Sequence, residues 1–148
     1  MNLRQLRQDI HWMYMQEHQA LGEAGTLRLL EQARQWDLSS TLARGGVLVF
    51  PHAGVAECGQ QIAAVVHACL DSGAERVLLV SVLHSFSDEM ETARIRVAAG
   101  ENPAQFRHWG VQGPGLIGRQ DWRFDHVLTS WRHFWRAETQ RRGIKGPE

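Results

Sequence analysis

Two histidines stand where chemistry can be done. His52 follows the run Gly46-Val-Leu-Val-Phe-Pro51, and His84 follows the run Arg76-Val-Leu-Leu-Val-Ser-Val-Leu83. Each run is short, apolar and rich in Val and Leu, and each passes into a loop that opens with the imidazole. Neutral imidazole is a ligand for Zn, Fe, Cu and Ni, and a proton carrier near neutral pH. Two imidazoles facing each other across a crevice would hold a divalent transition metal or pass a proton. A catalytic metal ordinarily takes three protein ligands and keeps a position open. Glu57, Asp125 and His126 are the local residues able to supply the third. The plainer alternative is that His52 and His84 cap loop backbone groups.

For the imidazoles to meet, the segments before them must lie side by side. Gly54 and Gly59 bracket a loop, and from Gln60 to Asp71 the apolar residues Ile62, Val65, Val66, Cys69 and Leu70 recur at helical spacing. Ser72-Gly73 ends that helix, glycine being the residue that most readily turns left-handed. Strand 46–50, helix 60–71 and strand 76–83 then form a right-handed βαβ unit. The second strand is almost wholly apolar, as a strand buried on both faces would be. In open sheets of this kind ligands sit outside the carboxyl ends of the strands, where neighbouring strands lie about 4.8 Å apart.

The remainder is read more coarsely. Leu3, Leu6, Ile10, Met13 and Tyr14 mark an amphipathic helix over 3–20, broken by Gly22 and Gly25, and a second helix runs from Thr26 to Trp36. His11 and His18 share a face of the first helix and read as a packed or solvated face. Ile95 and Val97 alternate in a third candidate strand over 93–99, residues 110–118 are glycine-rich loop, and Phe124, Leu128, Trp131, Phe134 and Trp135 mark a C-terminal helix. The expected fold class is α/β: one domain over 1–148, with a helical N-terminal segment (1–44), a parallel-sheet βαβ core (46–85) and a C-terminal amphipathic helix.

Bulk composition narrows the function. The chain has 148 residues, 43% of them hydrophobic and 22% charged, with a formal net charge of zero. A neutral chain argues against nucleic acid or an anionic membrane as the partner. The counter-argument is local: Arg119, Arg123, Arg132, Arg136, Arg141 and Arg142 interleave with Trp122, Trp131 and Trp135, a combination that can grip single strands by charge and stacking. An amphipathic helix with its tryptophans in the core and its arginines in water explains the same pattern. No run reaches the roughly 18 apolar residues of a membrane span. Cys58 and Cys69, the only cysteines, lie too far apart along one helix for a disulfide and are expected as free thiols in a reducing cytoplasm.

The string Pro51-His52-Ala53-Gly54, followed by Cys58-Gly59, Ala63-Ala64, Arg76-Val77 and His84, resembles the Memo family, which is related to the LigB-type class III extradiol dioxygenases. The resemblance covers roughly residues 46–85. It implies an α/β fold, metal ligation by His52 and His84, and non-haem iron chemistry, a dioxygenase-like oxidoreductase acting on a small oxidisable substrate. Asp125-His126 resembles more weakly the family's later Glu-His-Ser motif, which makes His126 a candidate acid–base residue and Asp125 a pocket candidate. The implied cofactor is Fe, Zn or Cu. Val55 stands where the family has tyrosine, and Ser85 where it has a second histidine.

Two further expectations complete the reading. Cys58, beside the proposed pocket with Glu57, is either a soft ligand or a small residue packed against the loop. A non-catalytic binding or scaffold protein with a degenerate site is the alternative function. An open sheet edge and a free aromatic face also predict a homodimer.

Overall fold

A computed structural model describes residues 3–81, 88–106 and 126–147. In chain order the helices are α1 (Leu3–Ala33), α2 (Ser39–Ala43), α3 (Val55–Asp71), α4 (Asp88–Ala98), a short 3-10 helix (Pro103–Gln105) and α5 (His126–Arg142). They fall in two compact units, one of residues 1–81 with 126–148, the other of residues 82–125.

In the first unit α3 is central. Eleven of its 17 residues are buried, far more than the single stripe of a surface helix. Ile62 and Val66 are fully buried, and they meet Leu30 and Ala33 of α1 and Trp131 and Phe134 of α5. Burying side chains of this size is worth about 1.5–3 kcal/mol each. The helix begins at Val55, five residues earlier than the apolar spacing suggests. Gly59 is therefore helical rather than loop, and a Cβ there would lie 2.9 Å from Leu29 Cδ1 and 3.1 Å from Phe134 Cζ. The residue is small because three helices close on it.

The expected break in the N-terminal helices is half realised. Gly22 has φ 61° and ψ −176° and kinks α1, a conformation that costs other residues strain. Gly25 stays buried within the helix. The end of α1 is finished by long-range partners: His67 Nε2 donates to the Leu30 carbonyl at 2.7 Å, and Gln60 Nε2 to that of Gln32 at 3.4 Å. These satisfy carbonyls that have no partner within the helix.

The parallel-sheet α/β core is not formed, and this corrects the expected fold class: among the described residues there is no strand. Residues 46–50 and 76–81 form no helix, and over 47–50 and 76–81 exposed and partly buried residues alternate, as they do along an extended chain. Leu48, Phe50, Val77 and Leu79 pack against the core, while Val47, Val49, Leu78 and Val80 are 83%, 89%, 89% and 84% exposed. The second segment is thus covered on one face, not two. All but the last residue of the third candidate strand, 93–99, fall within α4; Glu, Met, Ala and Arg in Asp88-Glu-Met-Glu-Thr-Ala-Arg-Ile-Arg-Val-Ala favour a helix, which outweighs the brief alternation of Ile95 and Val97. Two strand-like segments without a third are too few to hold a sheet by themselves.

The second unit is small. Ala93 is buried in α4, the Arg96 guanidinium pairs with Glu101 at 2.7 Å and lies 5.1 Å from the centre of the Phe106 ring. Asn102 caps the 3-10 helix by accepting from the Ala104 N–H at 3.0 Å. No helix among the described residues is long and apolar enough to cross a membrane.

Candidate functional site

The loop 51–54 is built from both sides. Pro51 has no N–H to donate and ends the first extended segment; Gly54 then serves as the residue before the first turn of α3, with φ −71° and ψ 172°. Below the loop the buried Cys58 thiol lies 3.2 Å from the Gly54 carbonyl, 3.3 Å from that of Ala53 and 3.6 Å from that of Pro51. Burial pushes this thiol up, reinforced by the nearby carboxylates Glu57 and Glu17 and only partly offset by the contact with Ala53. At neutral pH Cys58 is a protonated donor that stitches the loop to its helix. That geometry favours the packed reading of Cys58 over the soft-ligand one.

From the other side α1 closes on Gly54. A Cβ on Gly54 would collide with Glu17 Oε2 and would lie 2.7 Å from Tyr14 Cε1. Glu17 Oε2 accepts from the Ala56 N–H at 3.4 Å, placing a carboxylate at the positive end of α3. The result is a fixed turn that leaves His52 exposed, with Glu57 exposed one turn further on. His84 and Asp125 lie outside the described residues. His126 opens α5, and the placement of its side chain lies outside them as well. Among the described residues no group of three His, Cys, Asp or Glu side chains is set to hold a metal ion.

Two polar clusters that the spacing of residues does not announce join the helices. In the first, Glu138 is fully buried on α5 and accepts from Arg34 at 2.8 Å, Arg141 at 2.7 Å and Arg142 at 2.6 Å. Burial works to raise its pKa, but the hydrogen bonds from Arg141 and Arg142, with the positive surroundings, bring it down to about 2. His67 completes the group. Its Nε2 carries the proton given to Leu30, so Nδ1 accepts from Arg142 at 3.1 Å. Burial, aided by Arg34 and Arg142, holds the ring neutral against the opposing pull of the Leu30 carbonyl and Glu138.

In the second cluster the imidazoles of His18 (α1) and His133 (α5) stack with centroids 4.6 Å apart. The Thr26 hydroxyl donates to the Gly22 carbonyl at 2.7 Å. It therefore accepts from His133 Nε2 at 2.8 Å. His18 Nε2 lies 3.3 Å from the Ser130 hydroxyl. Ser130 is fully buried, so this hydroxyl–imidazole pair is a clasp between helices rather than an accessible nucleophile. The signals in the sequence were the shared face of His11 and His18 and the position of His133 among aromatic residues, neither of which names a partner.

The aromatic stripe of α5 lies inward. Trp131 stacks on Phe50 at 5.5 Å and on Trp135 at 5.6 Å. Both cysteines are buried and free. Comparisons with protein-family models, with curated proteins and with solved structures return no match.

Proposed function

We propose that the chain is a non-catalytic binding or scaffold protein that works as a homodimer. One observation carries this reading: two extended segments, 46–50 and 76–81, lie on one core through alternate residues and turn Val47, Val49, Leu78 and Val80 to solvent. Among the described residues no backbone hydrogen bond ties 47–50 or 77–80 to another segment. Extended backbone with free ladder groups and apolar outward side chains invites pairing. A second copy is the occupant of choice because it brings the same unpaired edge and the same outward residues. A two-fold axis sets like against like and closes the assembly. Buried free thiols suit a reducing cytoplasmic setting.

Light scattering after size exclusion tests the reading. A dimer is expected at micromolar concentration, converted to monomer by Val49→Lys with Val80→Lys while helix content is kept. A wild-type monomer at high micromolar concentration defeats it.

A second reading, a Memo-like divalent-metal protein, is favoured by the stitched loop that leaves His52 exposed. Here His52 and His84 would ligate Fe, Zn or Cu, with His126 as the acid–base residue and a small oxidisable molecule as substrate. Elemental analysis of tag-free protein separates the two: stoichiometric metal lost in His52→Ala and in His84→Ala selects the metal reading.

A further inference from the structure

We propose that the stacked pair His18–His133 is a pH-operated clasp that, when protonated, frees the N-terminal limb of α1 from α5 and withdraws its support from the loop carrying His52. The inference stands apart from the dimer reading and holds for either function.

The geometry has three parts. The first is the clasp: two imidazoles with ring centres 4.6 Å apart, where His18 of the limb stacks on His133 and lies 3.3 Å from the Ser130 hydroxyl, and His133 is itself held by Thr26 on the far side of the hinge. His18 is 8% exposed and Ser130 not at all. Both rings are satisfied as neutral groups. A proton on either one places a positive charge against the face of the other, where His18 is buried and His133 half-buried. The titratable groups facing His18 are His133 from α5 and His11 from its own helix. Neither ring of the pair forms an ion pair with a carboxylate among the described residues. A buried charge without a counter-charge is expensive.

The second part is a hinge. Gly22, at φ 61°, separates the limb 3–21 from the remainder of α1. The limb can therefore leave α5 without unwinding residues 23–33, whose Leu30 and Ala33 belong to the core. The third part is the linkage to the loop. Tyr14 and Glu17, within one turn of His18, are the residues that press on Gly54 and reach the Ala56 N–H. Releasing the limb removes one of the two supports of loop 51–54 and leaves the Cys58 thiol as the other.

The direction with pH follows from the neutral rings. Burial, then His133 and His11, bring the His18 pKa down from 6.5 to about 4, and burial lowers that of His133. The released state takes up protons that the closed state refuses. The clasp is therefore fully effective above pH 6.5 and weakens as pH falls toward 4.

Amide hydrogen exchange on the full chain at pH 7.5 and pH 5.0, corrected for intrinsic rates, tests the proposal. At pH 5.0 protection in residues 3–21 should fall at least tenfold and in 62–69 by less than twofold. NMR titration of the wild-type histidine rings should place proton uptake in the same range. The variant His18→Gln with His133→Gln keeps polar groups at both positions and removes the titration, so its limb should exchange alike at both pH values. Three results overturn the proposal: unchanged protection of the limb in the wild type, equal loss in 62–69, or a pH response that persists in a double variant whose circular dichroism matches the wild type.

Discussion

Glu138 ties α5 to the end of α1 from inside the fold. It is fully buried, and three guanidiniums from two parts of the chain converge on it. Removing the carboxylate would leave the guanidiniums of Arg34, Arg141 and Arg142 close together without their shared counter-charge. Loss of one partner of a buried ionic group costs about 3–5 kcal/mol, so Glu138→Ala should lower the urea midpoint by that equivalent. Arg34 is 43% exposed, and Arg34→Ala should cost about 1 kcal/mol or less, as a surface pair does. The acid behaviour follows with its sign. The folded carboxyl titrates at about 2 against an ordinary 4.5, so the unfolded chain binds the proton first. Stability from Glu138 is complete above pH 4.5 and is lost as pH falls toward 2. Unfolding free energies measured between pH 6 and 2.5 should show this fall in the wild type and a shallower one in Glu138→Gln. The residue gave no warning in the sequence: Arg34 is 104 positions away, and a lone Glu on a basic helix reads as solvated.

At the scale of elements, glycines separate close packing from backbone conformation. Gly59→Ala should destabilise by about 1–3 kcal/mol through overpacking, since Leu29 and Phe134 lie at 2.9 and 3.1 Å from the new methyl. Gly22→Ala meets nothing within 4 Å but must hold φ 61° with ψ −176°, a region that is essentially glycine's alone, at a cost of about 1–3 kcal/mol. Thermal melts of the two variants check both, and cutting Phe134 back to Leu should relieve only the first. Helical periodicity in the sequence located α3 and α5 because their apolar faces repeat over many turns. It placed the start of α3 late because Cys58 and Gly59 pack by being small rather than by being apolar. The strand readings of 46–50 and 76–83 found two short apolar runs but took the second to be buried on both faces, whereas only Val77 and Leu79 face the core and Leu78 and Val80 are exposed. They failed on pairing, because a ladder depends on a neighbour that local pattern does not encode. Of the candidate site, the loop of His52 was legible from Pro51 and Gly54. Its supports, Tyr14 and Glu17, were not, because they arrive from a distant helix.

At the scale of the whole molecule, the proposal of a protein rather than a nucleic-acid partner draws its support from charge and exposed apolar surface. Formal net charge is zero, and Arg34, Arg141 and Arg142 are already engaged with Glu138 and Asp71. Guanidiniums held by carboxylates have little left to offer phosphates. A gel shift with single-stranded DNA or RNA at low micromolar protein should therefore show no complex, and a salt-sensitive one would count against this view. The outward residues Val47, Val49, Leu78 and Val80 carry the last prediction. If a second copy covers them, folding and association are linked by mass action, and the melting temperature must depend on protein concentration. For a dimer that melts directly to unfolded chains, a tenfold rise in concentration is worth about 1.4 kcal/mol per dimer. That corresponds to roughly 2 °C for protomers of this size. Scans from 1 to 100 μM should show the melting temperature climbing in the wild type and flat in Val49→Lys with Val80→Lys. A flat wild-type profile would mean that the two extended segments melt as they stand, uncovered.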